Sequence, residues 1–330
     1  MADAAHKATD REIRRIEKEL EAVYSRANKE LSEKAANYFA RFAEQDKQKK
    51  ALVDAGSMSK EDYREWREAQ IMRGKHWTSL KEQTAQEMLK ANRTAMEYVN
   101  GRLPQVYAIN YNYAAKDIQM QCSNAVSFEL INTDAVLDLV EAGDKSLLPT
   151  KEPPKKGAEK LLPTQKVDPA KDIPWNMKLV NAEVAQGIIQ GESIPDIAKR
   201  LQNVGVKNAD SAMRTARTIV NGTQNKARHD AAERAAKKGV IMGKCWIGTN
   251  DKRIRDWHAE AWADYGDKED AVELDEPFIV MGEEMMYPGD RSASPANVYN
   301  CRCTHKNVVQ GFSSILPPEK RGKVKVIFDE

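Results

Sequence analysis

Apolar residues recur at mostly three- and four-residue spacing from the start of the chain: Ile13, Ile16, Leu20, Val23, Ala27, Leu31, Tyr38 and Phe42. That spacing draws one apolar stripe along a long helix, with Glu, Lys and Arg on the other faces. Gly56 breaks the pattern, Ser59 is placed to cap a second helix, and Glu61 and Asp62 suit its first turn. Tyr63, Trp66, Ile71, Trp77, Leu80, Met88, Met96 and Val99 continue the stripe, and Asn100-Gly101 followed by Pro104 predicts a helix stop. The stripe suits either a helical hairpin packed on itself or an arm laid on a partner. VYAINYNYA, from Val106, has strand-like composition. AVLDLVEAG predicts a short helix ending at Gly143.

A linker follows. KSLLPTKEPPKKGAEKLLPTQKVDPAK, from Lys145, holds five prolines, and seven lysines against three acids. Lys151, Lys155, Lys156, Lys160 and Lys166 are its candidate DNA contacts, set against a plain solvated linker. From Trp175 the helical period returns. One helix carries Met177, Val180, Val184 and Ile188 and stops near Gly191. Ser193 and Pro195 open a second, and Asn208, Asp210 and Ser211 a third that runs to Lys238-Gly239. The period then changes. VIMGKCWIG predicts a buried strand, DKRIRDWHAEAWADYG a short helix, and PFIV, EMMYPGD, NVYNCRC and NVVQGF short strands joined by turns. The fold class expected is α+β: a mainly helical N-terminal two thirds and a small antiparallel α+β C-terminal domain. The expected divisions are a helical, partner-binding region at 1–143, a basic Pro-rich linker at 144–172, a helical connector at 173–239, the α+β domain at 240–312 and a tail at 313–330.

Composition narrows the function classes. The chain has 330 residues, 31% of them charged, yet a net charge of only +2. A nucleic-acid binder that is basic throughout is excluded, and a local basic patch is not. No apolar run approaches the roughly 20 residues that cross a bilayer, and MADAAHKATDREIRR has no signal core, so a cytoplasmic protein with no membrane partner is expected. Four cysteines in this length do not make a disulfide framework.

The polar chemistry is concentrated after residue 244. Cys245 and Trp246 come first, then Asp251, Arg253, Arg255 and His258, then Tyr287-Pro288-Gly289-Asp290, then Asn300-Cys301-Arg302-Cys303. Cys301 and Cys303 with His258 and either Cys245 or His305 supply thiolate and imidazole ligands for a tetrahedral zinc site. The alternative is small buried hydrophobes, since C-x-C on a strand is not the usual knuckle spacing. With no metal the protein has no cofactor. Asp251, Arg253 and Arg255 read as an ion-pair network or as a phosphate pocket, because guanidinium offers a planar donor fork. Asp290 is a partner for Arg302 across the sheet. His258 shares a helix face with Arg255 but has no second catalytic group beside it, so no catalytic residue is assigned. Tyr287 to Asp290 reads as a tight turn and Trp246 as core.

W-x3-4-D-x-R-x-R-x2-H, YPGD and NCRC, in that order, resemble the phage Mu protein F-like domain of phage minor head proteins. GIIQGESIPDIAKRL and ARTIVNGTQNKAR resemble the helices that precede that domain, so the resemblance covers residues 175–312. Two positions depart from it. Ile219 stands where the family usually has Glu after A-R-T, and Ala263-Asp264 where it often has D-G. The resemblance implies a minor capsid protein, made in the host cytoplasm and held inside the virion near the portal. It would contact portal or major capsid protein, and in some members DNA, during head morphogenesis, packaging or ejection. The competing readings are a zinc-stabilised DNA-binding module and a nuclease or ADP-ribosyltransferase-like enzyme. Similar domains occur joined to toxins, but the 18 residues after 312 are too few for one.

Overall fold

A computed structural model describes residues 3–123 and 166–313. The helices are α1 (Ala4–Phe39), α2 (Ala43–Asp54), α3 (Lys60–Ile71), α4 (Gly74–Gln121), α5 (Pro169–Ile189), α6 (Ile194–Arg200) and α7 (Gln202–Lys237). Strand β1 (Val240–Ile247), α8 (Asp256–Tyr265), β2 (Val272–Glu273), β3 (Phe278–Val280), β4 (Glu283–Met285), α9 (Pro295–Val298) and β5 (Thr304–Phe312) follow. The class is α+β, as the change of period predicts. The 135–143 helix and all but the end of the Pro-rich run lie outside the described residues.

The compact units do not follow the linear divisions expected. Among the described residues one comprises 3–15, 99–123 and 214–313, the other 16–98 and 166–213. The second unit is helical. Its apolar stripe, Ile16, Leu20, Val23, Leu31 and Phe39, is buried, as are Trp77, Leu80 and Met88 and the connector's Val180, Val184 and Ile188. Ser59 caps α3 by accepting from the Asp62 amide at 3.0 Å, and Ser193 caps α6. Asp168 caps α5, so the end of the expected linker is helix start. An amide ladder crosses this unit: Tyr24 donates to Asn92 at 2.6 Å, Asn92 to Asn208 at 2.8 Å, and Asn208 to Asn176 at 2.7 Å. Such a chain satisfies each buried polar group and fixes the helix register.

The first unit holds the sheet. Its order is β2-β1-β5, all antiparallel, with β1 paired to β5 from Val240↔Phe312 to Ile247↔Thr304 and one register shift between Ile241 and Met242. β3 and β4 form a separate hairpin whose two central residues, Met281 and Gly282, have φ of 51° and 74°. Positive φ at both turn positions is the type I′ geometry that matches strand twist. One apolar cluster joins Tyr107, Tyr111, Ala115 and Ile118 of α4 to Ala227, Ala231 and Ala235 of α7, and to Val240, Met242 and Val309 of the sheet. A second is built on Trp246, Phe278, Val280, Met285 and Val298.

Four local expectations are corrected. VYAINYNYA is helix, inside α4, and the predicted stop at Asn100-Gly101 and Pro104 does not end it. Pro104 removes one helix hydrogen bond at a cost of about 3 kcal/mol. Val99, Leu103, Val106 and Tyr107, all buried around it, together outweigh that at about 1.5–3 kcal/mol each. The third connector helix starts at Gln202 rather than near Asn208. Finally, NVYNCRC is not a strand: α9 ends at Val298 and β5 begins only at Thr304.

Candidate functional site

The site is assembled on one face of β1. Alternation along the strand puts Lys244 and Trp246 on that face and Cys245 on the other. Trp246 is fully buried, edge-on to Phe278 and to the His258 ring, each at 5.4 Å between centroids. His258 comes from the first turns of α8 and is 1% exposed. Its Nε2 lies 3.3 Å from Asn297 Oδ1. The Asn297 amide cannot be turned round, because its Nδ2 donates to Val280 O at 3.2 Å and to Glu283 Oε2 at 2.7 Å. Trp257 Nε1 also donates to Asn297 Oδ1, at 2.9 Å. Asn297 Oδ1 is therefore an acceptor, His258 Nε2 carries the proton, and the Nδ1 lone pair faces inward.

Facing that lone pair are both sulfurs of the C-x-C. Cys303 Sγ lies 3.5 Å and Cys301 Sγ 3.7 Å from His258 Nδ1. The turn makes this convergence. Tyr299 has φ −65° and ψ 130°, Asn300 has φ 54°, and the Cys301 amide donates to Val298 O at 3.2 Å. These are the dihedrals of a type II turn, with an asparagine at the left-handed position it tolerates. A strand would have set the two sulfurs about 7 Å apart along one face. The Cys303 thiol hydrogen-bonds to Cys301, which lowers the Cys301 pKa well below the ordinary thiol value and raises that of Cys303. Asn300→Gly is expected to be near neutral. Asn300→Val should cost about 1–2 kcal/mol, read by urea unfolding, because a β-branched side chain opposes positive φ. Equal stability of the two variants would contradict the turn.

Cys245 does not join this group. Its thiol donates to Asp267 O at 3.2 Å on the far face of β1, and burial raises its pKa to about 11. His305 is also elsewhere, with its ring against His229 and Tyr287. Arg302 pairs with Asp251, not with Asp290: two guanidinium nitrogens reach the two carboxylate oxygens at 2.5 and 2.7 Å. That fork, with the Arg253 amide at 2.9 Å, holds the Asp251 carboxyl well below the usual carboxylate range. Asp251 sits in the loop before α8 rather than in its first turn. Arg255 donates to Tyr299 O and so holds the loop to the C-x-C turn, while the exposed Arg253 side chain pairs with Asp251 within the loop. Of the five candidate DNA-contact lysines only Lys166 is among the described residues, where it is exposed.

Tyr287-Pro288-Gly289-Asp290 is a closed turn. The Asp290 amide donates to Tyr287 O at 3.1 Å, Gly289 has φ 80°, and Asp290 accepts from the Met286 and Ser292 amides at 2.9 and 3.0 Å. It docks on α7 through a contact that the sequence pattern does not show. A Cβ on Gly222 would stand 3.1 Å from Gly289 O. Asn225 Nδ2 donates to Pro288 O at 2.8 Å and to Cys303 O at 3.0 Å, while its Oδ1 accepts from Thr304 at 2.8 Å. Asn221, Thr223, Gln224, Asn225, Arg228 and His229 are all buried. The signal in the sequence is a run of uncharged amides, NGTQN, where a solvated helix face would carry Lys and Glu.

Two buried histidines sit beside this clamp. Burial lowers the pKa of His229, against the raising effect of Glu233 3.4 Å away and with the help of Lys244 and Lys226. Burial likewise lowers that of His305. Folded His229 stays neutral where the unfolded chain takes up a proton, so stability is full above about pH 6.5 and falls as pH drops below it. The expected slope is about 1.4 kcal/mol per pH unit for this group, and His229→Gln should flatten the urea-midpoint profile between about pH 7 and 5. An unchanged profile would remove His229 from the account.

Residues 178–306 match the family model described as Phage Mu protein F like protein. The chain carries a phage Mu protein F-like domain. The match takes in the α7 clamp, the YPGD turn and the C-x-C turn. Among curated proteins, the chain is 27% identical over 233 residues to the minor head protein GP7 of Bacillus phage SPP1, covering 70% of this chain and 67% of that one. It is also 29% identical over 199 residues to the NAD(+)–arginine ADP-ribosyltransferase EFV of Enterococcus faecalis (strain ATCC 700802 / V583). That match covers 60% of this chain but spans only 36% of the transferase. No solved structure matches the chain. The family match is confined to residues 178–306, and the phage relative that the chain resembles is a minor head protein. Among the described residues no helix is long and apolar enough to cross a membrane.

Proposed function

We propose that this protein is a structural component of a phage head, placed inside the capsid near the portal, and that it acts in head morphogenesis with a role in DNA packaging or ejection. The observation that carries the reading is the GP7 match. At 233 residues it extends well beyond 178–306, so the likeness includes helical sequence outside the Mu F-like domain. The partners proposed are the portal and the major capsid protein. DNA contact is proposed for the lysine-rich run at 145–171, where neutralised phosphates would make binding weaken steeply with salt.

The protein acts by contact rather than by catalysis. Its thiols and imidazole at 258, 301 and 303 are buried, and the arginines beside them are held by Asp251 and Tyr299 O. The likeness to the transferase is the one observation on the other side. Incubation of the full chain with NAD+ and a guanidino acceptor is expected to give no ADP-ribosyl transfer. For the head reading, tagged chain expressed with portal and with major capsid protein should co-purify with one of them and be incorporated into assembled heads. Absence from heads, with binding to neither, would sink it.

A further inference from the structure

The buried Cys301, Cys303 and His258 group has the form of a metal centre, in a ligand set different from the one the sequence suggests. Each residue offers one ligand atom, and the three atoms lie within 4.8 Å of one another. Zinc with sulfur at about 2.3 Å and nitrogen at about 2.05 Å, in tetrahedral geometry, requires a nitrogen–sulfur edge of about 3.6 Å. The two edges here are 3.5 and 3.7 Å. We propose that His258 Nδ1, Cys301 Sγ and Cys303 Sγ bind one zinc ion, with the fourth position filled by water.

Four further features fit that assignment. The imidazole is presented correctly: Nε2–H is directed to Asn297 Oδ1, leaving Nδ1 as the ligand atom, and Asn297 is itself fixed by Val280 O and Glu283. An outer partner of this kind orients a metal-bound histidine and raises its basicity. Charge is balanced. Binding releases the two thiol protons, and Zn2+ with two thiolates is neutral, which suits a site whose residues are at most 2% exposed. The buried Trp246 indole N–H, on a ring 5.4 Å from that of His258, has no hydrogen-bond partner of its own among the described residues. Two soft thiolates and an imidazole select zinc over magnesium, calcium or manganese.

The same atoms could be read as a Cys–His–Asn nucleophile. A nucleophile must meet substrate, and both cysteines here are 2% exposed, in one buried cluster with Trp246 and Val298. Two thiols sharing one imidazole lone pair also serve a metal better than they serve a single attacking sulfur. The inference does not rest on the head-protein reading, because a structural ion is compatible with any activity of the chain.

The test is elemental mass spectrometry on the full chain, grown with added zinc and purified without chelator or polyhistidine tag. About one zinc per chain is expected, retained by Cys245→Ser and lost from Cys303→Ser and His258→Gln. To keep the test decisive where those two variants fail to fold, cobalt is added in parallel to the metal-stripped parent chain. Tetrahedral ligand-field bands and a thiolate-to-cobalt charge-transfer band are expected. A folded parent chain that takes up less than about a tenth of an equivalent of either metal overturns the proposal. So does loss of metal from Cys245→Ser, since that would place a ligand on the other face of β1.

Discussion

Trp246→Ala is expected to destabilise the sheet-bearing unit by about 4 kcal/mol, within the 3–5 kcal/mol usual for deleting a buried aromatic side chain. The side chain is 0% exposed and lies on β1, the central strand of β2-β1-β5. Its ring is the edge shared by Phe278 on the hairpin and His258 on α8, so alanine leaves a cavity touching three elements. None of them can close it alone: Phe278 is tied into β3, and His258 is held by Asn297. Amide exchange of β1 and β5 against denaturant reads this unit directly. A loss under about 1 kcal/mol would mean that the cluster collapses around the gap, contrary to the packing described.

The second large effect is expected from a polar residue. Asn225→Leu conserves size but should cost about 3 kcal/mol, because it strips the buried Pro288 and Cys303 carbonyls of their donor. The Thr304 hydroxyl loses its acceptor too, although Gln224 Nε2, 3.2 Å away, still reaches it. The same exchange assay decides the outcome, and it predicts a pattern as well as a size. Protection should fall at the YPGD turn and at the start of β5 before it falls at the β1–β2 edge. A uniform loss would show that Asn225 supports α7 rather than joining the two turns.

Much of the fold can be read from the chain. Capping at Ser59 and Ser193, the buried strand at 240–247, the helix around His258 and the YPGD turn all follow from local chemistry, and the structure has them. What escapes is set by partners distant in sequence. Tyr107 and Tyr111 have strand propensity, yet with Ala108, Ala115 and Ile118 they make a helical face buried against α7 and the sheet. Propensity yields there because tertiary burial outweighs it. The amides of α7 resemble a wet helix face, since nothing near them in sequence shows the carbonyls of residues 288 and 303. The C-x-C pair is visible as chemistry but not as structure. Its convergence on His258 depends on one left-handed asparagine, which leaves no periodic trace.

The sheet-bearing unit is also closed by residues from both ends of the described chain. Asp3 accepts from Arg228 at 2.7 and 2.8 Å, His6 Nδ1 meets Gln224, and β5 lies along β1 as far as Phe312. Synthesis at roughly 5–20 residues per second means that the first of these groups waits about 15 to 60 s for the last. Until β5 is released from the ribosome, the polar face of α7 has no carbonyls to bind and Trp246 lacks its C-x-C cover. Completion of this unit therefore depends on long-range closure, of the kind that folds slowly. Production of the protein in quantity would then be limited by that delay, and slower elongation or a lower growth temperature would act on the interval rather than on the finished fold.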